Sequence, residues 1–215
     1  KACHARGGRG REPVEGISKP MALLIRLGDK IDGSKVDENY GGQLQPFAIR
    51  LSHKALSTVI EPEAEIKLKY EFINGIYADG SSYQLRKPNY ELVNLNYGKL
   101  EESTVLSPRY APAIYGMGLL DAIKEEDLLA LEDIADSNND GISAKYNLVP
   151  DVLTQKMAVG RFGFKALHPS LAQQTAGAFV NDIGITNPFF QSDTCSHIQI
   201  GCRQRSLLGG HDKQL

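Results

Sequence analysis

Between Ala64 and Ile73 apolar and charged side chains alternate without a break: Ile66, Leu68, Tyr70 and Phe72 are interleaved with Glu65, Lys67, Lys69 and Glu71. A period of two puts the first set on one side of an extended chain and the second on the other, which a helix cannot do, so this stretch reads as a strand with one wet face. Asn74-Gly75 follows at once, a strong hairpin signal because both residues tolerate positive φ. Ile76-Tyr77 and Tyr83 to Arg86 offer the return, interrupted by a second turn at Asp79-Gly80, and Glu91 to Leu95 offers one more strand. The sequence thus predicts a small antiparallel β-hairpin insertion over about residues 64–95.

From Pro112 onward the apolar spacing turns helical. Ala122 to Ala135 carries Ile123, Leu128, Leu129, Leu131 and Ile134, with Glu125, Glu126 and Asp127 early in the run, where the helix dipole favours acids. Pro169 to Asp182 fits a second helix, begun by Pro169 or Ser170 and stopped by Gly184. The apolar segment Met21 to Ile25 is too short for its state to be read. Taken together, these residues predict a mainly α chain with the β-hairpin as an insertion. At 215 residues the chain can bury a sizeable core, as one large domain or two small ones. A net charge of -2, with Lys and Arg scattered among acids, provides no basic stripe for nucleic acid. No apolar run approaches the roughly 20 residues that span a bilayer.

Several groups of residues have the makings of a site. Cys3-His4 matches the end of C-x-x-C-H, in which thiols add to haem vinyl groups and the adjacent imidazole ligates iron. A haem also needs a second axial ligand or an open position; Met117, Met21, Met157 and His53 are candidates, and Arg161 and Lys165 are candidate partners for its propionates. Asp136, Asn138 and Asp140 stand at alternate positions before Gly141, a spacing that suits calcium. Asn147 occupies the place of the bidentate glutamate, so the loop is not an EF-hand, and a polar turn bonded to its own backbone is the competing reading. Cys195 and Cys202 lie close enough for a disulfide; with His197 and His211 they also form a loose zinc set, although the spacing is not that of a zinc knuckle.

Read in order, longer segments point to a family. They are Cys3-His4 with Gly7-Gly8-Arg9-Gly10, Tyr40-Gly41-Gly42-Gln43-Leu44-Gln45, Ala78-Asp79-Gly80 with Leu85-Arg86-Lys87-Pro88, and Ser107-Pro108-Arg109-Tyr110-Ala111-Pro112. Gly118 to Ile123, Asp140 to Ser143, Gly160-Arg161-Phe162-Gly163 and Gln173 to Asn187 complete the series. In these the chain resembles the di-haem oxidoreductases, related to the MauG and bacterial cytochrome c peroxidase group. The resemblance implies a periplasmic or exported protein with two c-type haems, each in a cytochrome c-like domain, exchanging electrons with a redox partner. It makes Cys3 a thioether cysteine and His4 the proximal iron ligand. A second C-x-x-C-H, which family members carry nearer the C-terminus, is not in this sequence, so the likeness is to an N-terminal half whose partner would be the C-terminal haem domain. Phe164 stands where the family commonly has Trp, and the chain contains no Trp. The expectation is a haem-binding electron-transfer or peroxidase-like region; the alternative is a non-catalytic, calcium-stabilised module.

Overall fold

The computed structural model describes residues 3–16, 21–31, 33, 35–47 and 62–206. They fall into two compact units, one drawn from Lys1–Ala113 with Thr194–Leu215, the other from Ile114–Asp193. In chain order the strands are β1 (Leu23–Asp29), β2 (Glu65–Ile76), β3 (Ser82–Val93), β4 (Thr104–Tyr110), β5 (Leu148–Asp151) and β6 (Lys156–Val159). The helices are α1 (Met117–Asp121), α2 (Glu125–Leu129), α3 (Leu171–Ile183) and α4 (Ile200–Ser206).

The mainly α, cytochrome c-like expectation is overturned. The described residues form three two-stranded antiparallel sheets, β1–β4, β2–β3 and β5–β6, and only α3 is longer than two helical turns. Two causes account for the difference. The helical period of Ala122–Ala135 yields only the five residues of α2, because neither α1 nor α2 buries a single residue and a short helix without a packed face does not extend itself. Conversely, β1 is a buried apolar run that periodicity cannot assign, and β4 contains Pro108, a residue that argues against a strand. Pro108 is tolerated because of its register. It faces Ile25, whose carbonyl accepts from Leu44 N–H on the opposite side of β1, so this is a non-hydrogen-bonded pair and the missing donor points away from β1. Pro88 in β3 and Pro150 in β5 give each remaining sheet a proline of its own.

The hairpin β2–β3 is present, with its turn moved. Asn74 and Gly75 lie inside the ladder opposite Gln84 and Tyr83, and the chain reverses at Tyr77–Ser81 around Gly80, which has φ +86°. Gly75 serves a packing need instead of a turn: a Cβ there would fall 2.2 Å from the Tyr83 ring. The alternation buries only the first half of β2. Ile66 and Leu68 are 1% and 2% exposed, whereas Phe72 is 55% exposed on the same face.

In the first unit Ile66 joins Leu23, Ile25, Leu27, Tyr40, Leu44 and Ala64 in one core, with Leu92, Leu95 and Leu106 packed around it. Two buried carboxylates lie at its edges. Asp37 accepts from the N–H groups of Asn39, Tyr40 and Glu101 and from Thr104 Oγ1, at 2.7–3.1 Å. Glu63 accepts from Gln45 N–H at 2.6 Å and from Gln199 Nε2. Burial pushes the Glu63 carboxyl up to about 7, against the opposing pull of those two hydrogen bonds; Asp37 adds a smaller push upward.

In the second unit the β5–β6 hairpin is tied to α3 through Gln173, which donates to Pro150 O and accepts from Val152 N–H, both at 3.0 Å. Here the expected boundaries hold. Ser170 caps the N-terminus of α3 by accepting from Gln173 N–H, and Gly184 ends the helix with φ +68°.

Two outcomes follow for stability. Ile66→Ala should cost about 2–5 kcal/mol in urea denaturation, while Phe72→Ser on the same face of the same strand should stay within about 0.5 kcal/mol. Glu63 binds its proton more tightly in the folded protein than in the unfolded chain. Its contribution is therefore full below pH 4.5, declines as pH rises to about 7 and is flat above that. Between those limits the parent should lose on the order of 3 kcal/mol more stability than Glu63→Gln, read from denaturation midpoints across the pH range.

Candidate functional site

Cys3 and His4 lead into a single 3-10 turn at Ala5–Gly7, held against the open end of the β1–β4 pair. Four contacts fix it there. Gly10 N–H donates to Ala111 O at 3.0 Å, and Tyr110 Oη donates to Gly10 O. Cys3 Sγ–H donates to Met21 O at 2.9 Å. The fourth is the most informative: His4 Nδ1 lies 2.7 Å from Pro112 O, 108 residues away in sequence. A carbonyl can only accept, so Nδ1 must carry the proton, and in the neutral ring the lone pair is then on Nε2. The backbone thus fixes the tautomer that leaves Nε2 able to ligate a metal, as a carbonyl on the far ring nitrogen commonly does for a metal-binding histidine.

Gly10 is what lets the segment come so close. A Cβ on it would lie 2.3 Å from Ala22 Cβ and 2.5 Å from Cys3 O, and neither neighbour is a flexible side-chain tip that can swing aside. Nothing in the local sequence distinguishes Pro112 as the histidine's partner, because the contact is made by a carbonyl that every residue possesses.

The other candidate residues lie in one or other unit or outside the described residues. Met21 belongs to the first unit but is half exposed, and its carbonyl is what Cys3 uses. His53 and His211 lie outside the described residues. Met117, Met157, Arg161, Lys165 and the Asp136–Asp140 loop belong to the second unit. Arg161 Nη1 donates to the carbonyls of Asp121, at 3.2 Å, and Ile123, satisfying the C-terminal end of α1. Lys165 lies over the Phe164 ring at 5.8 Å. In the Asp136 loop the side-chain oxygens are directed at the loop's own backbone. Asp136 accepts from Asp140 and Gly141 N–H, Asn138 from Asp140 N–H, and Asp140 from Ile142 N–H. Among the described residues no three His, Cys, Asp or Glu side chains are grouped to hold a metal ion. Cys195 and Cys202 form a disulfide with Cα atoms 5.9 Å apart; Cys3 stands outside it.

A cysteine followed directly by an imidazole whose Nδ1 is held by a backbone carbonyl fits the C-terminal half of a c-type haem attachment site. The chain belongs to the family described as "Di-haem oxidoreductase, putative peroxidase", whose model matches residues 1–200. No curated protein and no solved structure matches it. The family implies haem, and the donor set at Cys3–His4 suits one: a thiol and a tautomer-fixed imidazole, adjacent in sequence and anchored to the same sheet end.

Replacing Gly10 by Val should displace the Cys3 segment from Ala22 and Met21. The Cys3 thiol is expected to react several-fold faster with a disulfide reagent, measured with the Cys195–Cys202 bond intact.

Proposed function

We propose that this chain is a c-type haem-binding region of an electron-transferring, peroxidase-like oxidoreductase, with His4 Nε2 as an iron ligand and Cys3 as a thioether. The observation that carries the reading is the 2.7 Å contact between His4 Nδ1 and Pro112 O. It supplies what a ligating imidazole needs, a fixed ring orientation and a basic Nε2, without spending a side chain. When bound, a c-type haem supplies reversible one-electron chemistry at iron.

The chain's own residues have defined tasks in this reading. Pro112 O holds the Nδ1 proton, which would keep the imidazole from rotating or changing tautomer. Cys3 would hold the haem covalently, as a thioether. Gly10, Ala22 and Ala111 set the distance between that thiol and the sheet. The disulfide and the thioether chemistry together favour an oxidising location such as the periplasm. An electron partner and a C-terminal haem domain belong to the same proposal, through the family.

The test is a pyridine haemochrome after acid-acetone extraction of chain produced with a haem-attachment system. The expected result is a c-type band that survives extraction and is lost in Cys3→Ser, with the Soret spectrum altered in His4→Ala. Colourless product with His4 and Cys3 intact overturns the reading in favour of a non-catalytic module.

A further inference from the structure

We propose that residues 195–202 act as a redox latch on the first unit: with the Cys195–Cys202 disulfide intact Gln199 covers the Glu63 carboxyl, and reduction by a dithiol releases the loop and opens that carboxyl to water.

The contacts form a relay that starts at the disulfide. Cys195 and Cys202 are seven residues apart in sequence, and both are half-buried, within reach of a small reductant. Next to Cys195, Ser196 N–H donates to Gln199 Oε1 at 2.8 Å. An N–H can only donate, so the amide oxygen of Gln199 must face Ser196 and its NH2 group must point the other way. There Nε2 donates to Glu63 Oε1, across 136 residues of sequence. The amide orientation that serves Glu63 is thus set from inside the disulfide loop. Both partners are buried, Gln199 at 3% exposed and Glu63 at 6%.

Two further contacts seat the loop on the turn that Asp37 holds. Ser196 Oγ donates to Asn39 O at 2.7 Å. Gly41, with φ +69°, lets Thr194 O approach, since a Cβ there would fall 3.3 Å from it.

The disulfide decides the state of the loop because it lowers the cost of ordering it. With the two ends joined, few conformations remain to be lost when Ser196 and Gln199 dock. Helix α4, which carries Cys202, has seven residues, too few to be stable as a helix on its own. Without the cross-link the same side-chain contacts must order the whole segment. Reduction moves two electrons and two protons from the dithiol: the Cys195–Cys202 bond breaks, two S–H groups form, and the dithiol closes to a disulfide of its own.

Glu63 is the group on which the two states differ. In the closed loop burial holds its proton affinity up, to about 7, while Gln45 N–H and the Gln199 amide pull it down. Asp37 is the charged neighbour and adds a smaller upward push, and the Tyr40 hydroxyl lies in the field of both carboxyl groups. On the loop itself His197 and Arg203 are exposed. Water entering the open loop removes the effect of burial, which is larger than that of the amide it replaces, so the affinity falls toward the ordinary carboxylate value. Glu63 therefore favours the closed form in full below pH 4.5, and that advantage is lost as pH rises to about 7.

The experiment follows the full chain, prepared without haem and with carbon-13-labelled glutamate, before and after dithiothreitol. The Glu63 carboxyl resonance is the one missing in Glu63→Gln. With the disulfide intact it should titrate near pH 7. After reduction, and in a chain with both Cys195→Ser and Cys202→Ser, it should titrate about one pH unit or more lower. Gln199→Leu with the disulfide intact should move it the other way, because burial stays and a donor is lost. On reduction the amides of Gln199 and Arg203 should exchange hydrogen roughly tenfold faster, and those of Leu27 and Leu44 should change less than about twofold. A Glu63 midpoint that reduction leaves in place, or that is already ordinary with the disulfide intact, overturns the latch. Equal loss of protection at Leu27, Leu44 and Gln199 also overturns it, since the disulfide is then a staple for the unit as a whole.

Discussion

The first unit is organised around a buried carboxylate whose hydrogen-bond donors, among the described residues, are all neutral. Asp37 is 1% exposed, yet four donors converge on it from two separate stretches of chain. A carboxyl group in such a position is stable only if its lone pairs are occupied. The donors from Asn39 and Tyr40 curl the chain toward Gly41–Gln43, which then pairs with β1 from one side. Those from Glu101 and Thr104 fix the start of β4, which pairs with β1 from the other. One side chain thus sets both flanks of β1. Tyr40 shows the same economy: its hydroxyl donates to Gly98 O and accepts from Tyr97 N–H, fastening the chain after β3 to the same turn.

The Cys3–Gly10 segment is the clearest beneficiary. It has little structure of its own beyond one 3-10 turn, and it borrows rigidity from the carbonyls of Met21, Ala111 and Pro112 and from the Tyr110 hydroxyl. Because those residues end the β1–β4 pair, the imidazole orientation depends on the strand register, and the register depends on Asp37. An imidazole held by a carbonyl oxygen in this way tolerates changes of side chain at its partner position, provided the backbone path is kept.

Sequence reasoning reached the local features and missed those set by distant contacts. The capped ends of α3 were legible because Ser170 and Gly184 act on their own helix. Strand β2 was legible from its alternation, but its tip was not: Asn74-Gly75 has turn chemistry, and the Tyr83 ring across the ladder, which no local rule sees, gives Gly75 a different role. Strands β1 and β4 went unassigned because burial and register, both tertiary, decide what a short apolar run or a proline-containing run becomes. Helicity over Ala122–Ala135 failed for the converse reason, a sound period with no surface to pack on. At the site, Cys3 and His4 were read from their adjacency, and the disulfide was among the readings of its two cysteines. Pro112 acquires its part only through a contact with a residue 108 positions away in sequence.

A fold assembled from two-stranded sheets consists almost entirely of edges, and edges recruit other strands. The three prolines bear on that hazard. At Pro108 the ring replaces an N–H that would have pointed outward, leaving a gap in the rungs where a foreign strand would try to register. Pro88 stands beside Lys87 and Arg86, which add charge to the same strand. Such strands are poor templates for their own kind. The prolines that obscure these strands in the sequence therefore help the chain remain itself at high concentration, before any cofactor or partner is in place.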